Sequence, residues 1–142
     1  RSNEMKLLIT GHSEFSIGMQ SALAMIAGEL EDVIIIPFLA EETVDEYRQK
    51  VAAEIQMFDQ AICFTDLLGG TPFKTCVEFS EEKDQVFVVS GTNLGILLEG
   101  LMMRNSVTDS FEIAETVVQA GKSNIMLFEK NNETEELPEE GI

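Results

Sequence analysis

The stretch LLITGHSE, residues 7–14, decides the fold of this chain. It begins with a short apolar run, the pattern of a strand that is covered on both faces of a parallel sheet. A glycine and the only histidine of the sequence, His12, follow directly. Histidine is the side chain best suited to carry protons or a phosphoryl group near neutral pH. The stretch predicts a first strand, Lys6–Thr10, with His12 at its carboxyl end, although a loop histidine without a chemical role would fit the same pattern.

Strands and helices alternate along the rest of the chain. Apolar runs predict further strands at Val33–Phe38, Ala61–Thr65 and Gln85–Ser90 and a short last strand at Asn124–Phe128. Periodicity and capping residues predict helices at Ser16–Ala27, from Thr43 to about Phe58, from the N-cap Thr71 onward, at Leu94–Arg104 and at Ser110–Ala120, where Gly121 would end the last helix.

This alternation predicts an α/β fold, because parallel strands need right-handed helical crossovers between them. We expect a doubly wound, mostly parallel sheet with the common strand order 2-1-3-4, the short last strand at its edge, and helices on both faces. Residues 5–130 would form one domain. The acidic segment 131–142 has almost no apolar residues and is predicted to be a disordered tail.

Composition narrows the classes of partner. The chain has 142 residues, enough for one domain with a hydrophobic core, and a formal net charge of −17. This charge argues against binding to nucleic-acid backbones and anionic membranes and favours a partner with a basic face.

No apolar run reaches the ~18 residues that cross a bilayer. Cys63 and Cys76 lie in apolar runs without metal-site spacing, so we expect buried, reduced thiols in a cytosolic protein.

Asp66 follows the third predicted strand as His12 follows the first. In the order 2-1-3-4 these strands are neighbours where the winding direction reverses, and ligands bind there at the carboxyl ends of the strands. We therefore expect the two side chains to meet in one crevice. A carboxylate would fix the imidazole tautomer and leave the other ring nitrogen free to attack. Alternatively, Asp66 only caps the amides of its own turn.

The motif GGTPF, residues 69–73, follows Asp66 closely. Gly69 and Gly70 let the backbone approach a ligand, and the free amides at the start of the next helix favour an anion. The hydroxyl of Thr71 would be able to donate to a phosphoryl oxygen. A plain glycine turn with a helix cap explains the same residues, and the motif lacks the lysine and spacing of a nucleotide-binding P-loop.

Three stretches together resemble the IIA component of the mannose-type (mannose, fructose and sorbose) phosphoenolpyruvate-dependent sugar phosphotransferase system. They are LLITGHSEFSIGMQSAL, FTDLLGGTPFKTCVEF and VVSGTNLGILLEGLMMR, and they follow the family's order between Met5 and Lys130. The resemblance implies a cytoplasmic phosphocarrier. It would accept a phosphoryl group from the histidine-containing phosphocarrier protein and pass it to a IIB component that is linked to the membrane IIC and IID permease.

The resemblance also implies roles for single residues. His12 would be phosphorylated, Asp66 would orient it, and Thr71 would belong to the phosphate-binding loop with Gly69 and Gly70. The family needs no cofactor and no metal at the histidine, since transfer between two histidines depends on positioning and charge stabilisation. It further implies a homodimer in which the last strand joins the partner's sheet.

The sequence departs from the family pattern directly after the histidine. Ser13 and Glu14 stand where many relatives have a small residue or glycine, so Glu14 is expected either to point away from a phosphoryl group or to tune the choice of partner. No IIB domain is attached in this sequence, so we expect the acceptor to be a separate chain.

Three other functions are alternatives to this one. The phosphocarrier subunit of a dihydroxyacetone kinase system has the same fold and histidine chemistry with a different acceptor. A receiver-like signalling domain would be phosphorylated on Asp66 and needs an acidic pair after the first strand to hold magnesium, which Thr10-Gly11-His12 does not supply. A flavin- or nucleotide-binding module needs a hydroxyl- and glycine-rich loop there, and only fragments of one are present.

Overall fold

The structure, a computed structural model, describes residues 5–131 and contains a sheet of four strands in the order β2-β1-β3-β4. All neighbouring strands are parallel. The strands are β1 (Lys6–His12), β2 (Val33–Phe38), β3 (Gln60–Thr65) and β4 (Gln85–Val89). The helices are α1 (Phe15–Ala27), α2 (Val44–Ile55), α3 (Thr71–Ser80), α4 (Leu94–Met103) and α5 (Ser110–Asn124). The predicted doubly wound α/β fold and its strand order are confirmed.

Two hydrophobic clusters cover the two faces of the sheet. Leu7 and Ile9 of β1 belong to one cluster with residues of α1, α4 and α5, whereas Leu8 belongs to the other with residues of α2 and α3. Successive side chains of a strand point to opposite faces, so a strand covered on both sides must be apolar at nearly every position. The same alternation places His12, like Leu8, on the face that α2 and α3 cover.

Capping residues fix several helix ends as predicted. The amide of Glu46 donates to Oγ1 of Thr43 at 3.0 Å, and the amide of Thr43 donates to Oε1 of Glu46 at 2.9 Å, a complete capping box for α2. Gly28 ends α1 with a φ of 80°, a value that favours glycine. Helix α2 ends at Ile55, earlier than the predicted Phe58.

The predicted N-cap of α3 is wrong by one residue. Thr71 is the first helical residue, and Gly70, with extended backbone angles, is the N-cap. Pro72 occupies the second helical position, where the N–H that proline lacks has no partner within the helix. The shift leaves Gly70, not Thr71, at the junction between the loop and the helix.

The predicted last strand does not form within the described chain. Helix α5 continues through Gly121 to Asn124 instead of ending before Gly121. Gly121 is buried against Ile96 of α4, and a methyl group on it would lie 2.8 Å from Cγ2 of Ile96, so this glycine serves close helix packing. Residues 125–128 are exposed and pair with no strand within the described chain. An apolar segment forms a β-strand only when a neighbouring strand satisfies its backbone hydrogen bonds.

Two expectations concern the limits of the chain and the membrane. The predicted acidic tail at 131–142 lies, apart from its first residue, outside the described residues. Among residues 5–131, no helix combines the length and the apolar character that crossing a membrane requires.

Candidate functional site

His12 is the last residue of β1, so the strand runs past the predicted end at Thr10. Its side chain is about half exposed, at 47%. Ser13 then adopts a left-handed φ of 53°, and its amide donates to the carbonyl oxygen of Phe38 on β2 at 2.7 Å. The chain therefore leaves the sheet directly after the imidazole, which stands at the rim of the carboxyl edge.

Asp66 follows β3 directly and holds His12 at two atoms. Its Oδ2 accepts a hydrogen bond from the backbone amide of His12 at 2.8 Å and lies 2.8 Å from Nδ1 of the ring. Its Oδ1 accepts from the amide of Leu67 at 2.8 Å. The structure thus brings together the two side chains that the strand order predicts to meet, because β1 and β3 are neighbours.

The charge of Asp66 determines the tautomer of the ring. Burial raises the pKa of Asp66, but hydrogen bonds from the backbone and ring of His12, the charge of that ring and the amide of Leu67 outweigh burial and lower this pKa overall. The carboxylate is therefore ionised near neutral pH and only accepts hydrogen bonds. Nδ1 of His12 must then carry the proton, which leaves the lone pair of a neutral ring on Nε2.

The loop between Asp66 and α3 approaches the imidazole at Gly70. A methyl group on Gly70 would lie 2.9 Å from Cε1 of His12 and 3.3 Å from the carbonyl oxygen of Leu67. Gly69 has a φ of 82°, which favours glycine. The loop therefore depends on both predicted glycines, one for its turn and one for its approach to the ring.

The start of α3 lies beside this approach. The amides of the first helical turn have no partner within a helix, and the positive end of the helix dipole favours a negative charge. Thr71 contributes the first of these amides together with a hydroxyl group, whereas Pro72 contributes none. A group bound next to Cε1 of His12 would therefore meet a site that suits an anion.

A match to a known family decides what this site belongs to. The family model described as PTS system fructose IIA component matches residues 6–118, a span that includes His12, Asp66 and the loop 69–71. The chain belongs to this mannose family of phosphotransferase-system IIA components. Proteins of this kind are phosphotransfer components of a transferase system and work with other proteins of that system.

Similar proteins agree with this assignment. The fructose-specific EIIA component of Bacillus subtilis is 31% identical to this IIA chain over 103 residues, which are 70% of each protein. The sorbose-specific EIIA component of Lacticaseibacillus casei is 29% identical over 108 residues, 75% of this chain and 78% of that protein.

Solved structures show the same fold. The EIIA component of Streptococcus agalactiae matches with a TM-score of 0.81 at 31% identity, covering 86% of this chain and 95% of that one. A mannose/sorbose-specific IIA subunit of Enterococcus faecalis matches with a TM-score of 0.83 at 26% identity, covering 91% and 98%. The family predicted from the three sequence stretches is therefore confirmed.

Two residues of this IIA site were missed by the sequence analysis, Gly11 and Phe38. A methyl group on Gly11 would lie 2.6 Å from Cδ2 of Phe15 and 2.9 Å from Cγ of Asp66, so only glycine leaves room for the carboxylate. Phe38 lies beside the imidazole, with ring centroids 6.0 Å apart. The position of Gly11 directly before the only histidine could have indicated its role in the site. Phe38 is one apolar residue among others in its strand, so the sequence did not indicate its contact with His12.

The surface around the site carries exposed apolar side chains. Leu67 and Leu68 in the loop after Asp66 expose 60% and 71% of their surface. Glu14, the departure from the family pattern, is exposed at the start of α1, and its side chain does not cap that helix. The imidazole of this IIA chain thus lies on an open rim and not in an enclosed pocket.

Proposed function

We propose that this IIA component carries a phosphoryl group on Nε2 of His12. The observation that carries the proposal is the 2.8 Å contact between Nδ1 of His12 and Oδ2 of Asp66 on a ring that remains about half exposed. The lone pair of Nε2 attacks the phosphorus of a donor phosphohistidine, and the donor P–N bond breaks with its electron pair returning to the donor ring. The Nδ1 proton stays between His12 and Asp66, whose negative charge stabilises the phosphorylated imidazole.

The phosphoryl group would be held by the loop 69–71. A methyl group on Gly70 would lie 2.9 Å from Cε1, the ring atom between Nδ1 and Nε2, and the first amide of α3 follows at Thr71. The hydroxyl and amide of Thr71 are the donors that we assign to the phosphoryl oxygens. Positioning and charge stabilisation of this kind suffice for transfer between two histidines.

The donor would be the histidine-containing phosphocarrier protein and the acceptor a IIB component, in a cytoplasmic relay for sugar uptake. An open rim with exposed Leu67 and Leu68 suits the face of another protein better than a small molecule. The formal net charge of −17 favours a donor with a basic docking face. The acceptor passes the group to sugar that enters through the membrane permease.

Phosphorylation by the general phosphocarriers tests this function. We expect the purified protein, given phosphoenolpyruvate and these carriers, to gain one phosphoryl group that acid removes. Because His12 is the only histidine, His12→Ala should gain none. The matched control is Gln20→Ala, an exposed position on α1, which should be phosphorylated like the wild type. A phosphoryl group that survives acid, or one that persists in His12→Ala, would contradict the proposal.

We also infer a homodimer in which residues 125–128 pair with the sheet of a second copy. Their side chains, Ile125 to Phe128, expose between 58% and 87% of their surface. Strand β4 is an edge of the described sheet, and the lining of a groove of about 470 Å³ beside it includes Val88 and Val89 of β4 and Val117 and Val118 of α5. A segment from a second copy would pair with the edge and fill the groove.

Sedimentation measures this association directly. We expect the wild type to be a dimer and Leu127→Glu, which places a charge in the exchanged segment, to be a monomer. Met25→Glu is the control, because Met25 is 91% exposed on α1 and belongs to neither the segment nor the groove. A monomeric wild type would rule out the dimer without affecting the phosphorylation proposal.

A further inference from the structure

Phe38 lies against the imidazole of His12 from the neighbouring strand. The two residues are register partners at the ends of β2 and β1, so their side chains leave the sheet on the same face. Their ring centroids are 6.0 Å apart, and the ring planes are tilted by 49°. This separation is within the range of direct aromatic contacts, so the Phe38 ring occupies the space on the β2 side of the imidazole.

Gly70 and Asp66 limit the imidazole on two further sides. Gly70, in the loop after β3, is so close to Cε1 that even a methyl group would be 2.9 Å away. Asp66 holds Nδ1 at 2.8 Å. Rotation of the ring away from Asp66 toward either of these sides therefore meets the Gly70 backbone or the Phe38 ring, and only the exposed side remains open.

Phe38 is itself fixed by a buried anchor, Tyr47 of α2. The two rings have centroids 4.8 Å apart, and Tyr47 is fully buried. Oγ1 of Thr10 donates its one proton to the carbonyl oxygen of Ile36 at 2.6 Å, so the hydroxyl of Tyr47, 2.5 Å from Oγ1, must be the donor in that contact. Tyr47 is thereby tied to β1 two residues before His12, and Phe38 is packed between this anchor and the imidazole.

We propose that Phe38 is a positioning residue for phosphoryl transfer. Its ring keeps the imidazole in the orientation in which Nδ1 meets Asp66 and Nε2 is open to the donor. This inference rests on the proposed function of His12. A ring that rotates freely is in the reactive orientation for only part of the time, and the rate of transfer falls by that fraction. Phe38 acts through His12 and does not itself contact the phosphoryl group.

Kinetics of Phe38 variants separate positioning from docking. We expect Phe38→Leu, which keeps apolar bulk but loses the ring, to lower kcat for transfer from the phosphorylated donor by about tenfold, with little change in KM. Phe38→Tyr restores the ring and should restore kcat. The control is Phe111→Leu, since Phe111 is half exposed in a tilted aromatic contact with Phe87, 5.3 Å between centroids, and lies on α5 away from the site.

Nitrogen NMR of the unphosphorylated imidazole gives a second measurement that needs no transfer. Because the chain has one histidine, protein labelled at histidine gives the signals of His12 alone. The wild type should contain the tautomer with the proton on Nδ1, and Phe38→Leu should shift the signals toward an average of both tautomers. Phe38→Met is a second variant for the case that leucine disturbs the packing on Tyr47.

The outcomes are distinct. A raised KM with unchanged kcat and an unchanged imidazole spectrum would overturn the proposal and make Phe38 a docking residue. Unchanged kinetics and spectrum in both variants would overturn it as well. If the wild type accepts no phosphoryl group, the proposed function fails, and the spectrum of Phe38→Leu alone then decides whether Phe38 positions the ring.

Discussion

At the scale of single residues, the position of the His12 ring depends on two glycines that leave room for it. Gly11 lets the carboxylate of Asp66 reach the end of β1, and Gly70 lets the loop before α3 lie against Cε1. Neither glycine is needed there for a left-handed backbone, since among the glycines of residues 5–131 a positive φ occurs only at Gly28, Gly69 and Gly91. Both positions require glycine because a larger side chain would collide with Asp66 or His12, and adding a single methyl group tests this.

Gly70→Ala adds that methyl group next to the imidazole. The backbone at Gly70, with φ of −75°, accepts alanine, but the methyl group would lie 2.9 Å from Cε1 and displace the ring from Asp66. We expect the rate of transfer to fall by about tenfold or more while the fold persists. Gly18→Ala is the matched control, because nothing lies within 4 Å of a methyl group there. Equal transfer rates in both variants would show that the ring tolerates the displacement.

Asp66→Asn removes the charge that orients the ring. The amide keeps the shape of the side chain but has one acceptor oxygen, so its NH₂ group faces either the N–H of Leu67 or the N–H groups of His12 and cannot accept from them. We expect transfer to slow by about 10–100-fold, the range seen when a metal-ligating histidine loses its orienting partner. The measurement is single-turnover transfer, with circular dichroism to confirm the fold. Unchanged kinetics would remove Asp66 from the mechanism.

The sequence predicts site residues that have distinctive functional groups but not those that act only through packing. His12 is unique in the chain, and Asp66 follows a strand that the common order places next to β1. Phe38 could not be predicted as a contact of His12, because that contact depends on the register between β1 and β2. Register is a property of two strands, and it is not visible in the pattern of either one.

At the scale of elements, the packing of α5 on α4 decides how far α5 extends. Glycine commonly ends a helix, and this frequency predicted an end at Gly121. The helix instead continues to Asn124, and Gly121 lies within it, where a methyl group would be only 2.8 Å from Cγ2 of Ile96. The central parts of the strands and helices were predictable from apolar periodicity. The carboxyl end of α5 was not, because it depends on packing against Ile96, 25 positions earlier in the sequence.

Gly121→Ala tests this packing. A methyl group 2.8 Å from Cγ2 of Ile96 forces α4 and α5 apart, so we expect the free energy of unfolding to fall by about 1–3 kcal/mol despite the better helix propensity of alanine. Gly18→Ala, in the exposed first half of α1, should instead raise it by about 0.5–1 kcal/mol. Chemical denaturation measures both. A stabilised Gly121→Ala would mean that the helices adjust without cost.

At the scale of the whole molecule, the hydrophobic cluster on the α2 and α3 face of the sheet is joined to the site through a single buried tyrosine. Tyr47 contacts Phe38 in the rim and Thr10 in the sheet, and burial raises its pKa far above the ordinary value. The alternation of strands and helices predicted an α/β fold, and the structure confirms it. The role of Tyr47 could not be predicted, because its environment is formed by three elements that only the complete fold brings together.

The ionisation of Tyr47 predicts how stability depends on alkaline pH. In the unfolded chain tyrosine loses its proton near pH ~10, whereas folded Tyr47 keeps it. The unfolded state then binds fewer protons than the folded state, so the free energy of unfolding should fall above that pH by about 1.4 kcal/mol per pH unit from this residue alone. Tyr47→Phe should lack this contribution.

Absorbance provides the check on Tyr47. The chain has one tyrosine and no tryptophan, so the tyrosinate signal reports Tyr47 without interference. It should appear together with the loss of helical circular dichroism as the pH rises. A tyrosinate signal in protein that is still folded would contradict the buried, neutral hydroxyl.

The central claim is that Nε2 of the single histidine carries the phosphoryl group. The most direct measurement is a phosphorus–nitrogen NMR correlation on the phosphorylated protein with isotope-labelled histidine. The account predicts one correlation, between phosphorus and Nε2 of His12, with Nδ1 still protonated and bound to Asp66. A correlation to Nδ1, or a phosphoryl signal without coupling to either ring nitrogen, would contradict it.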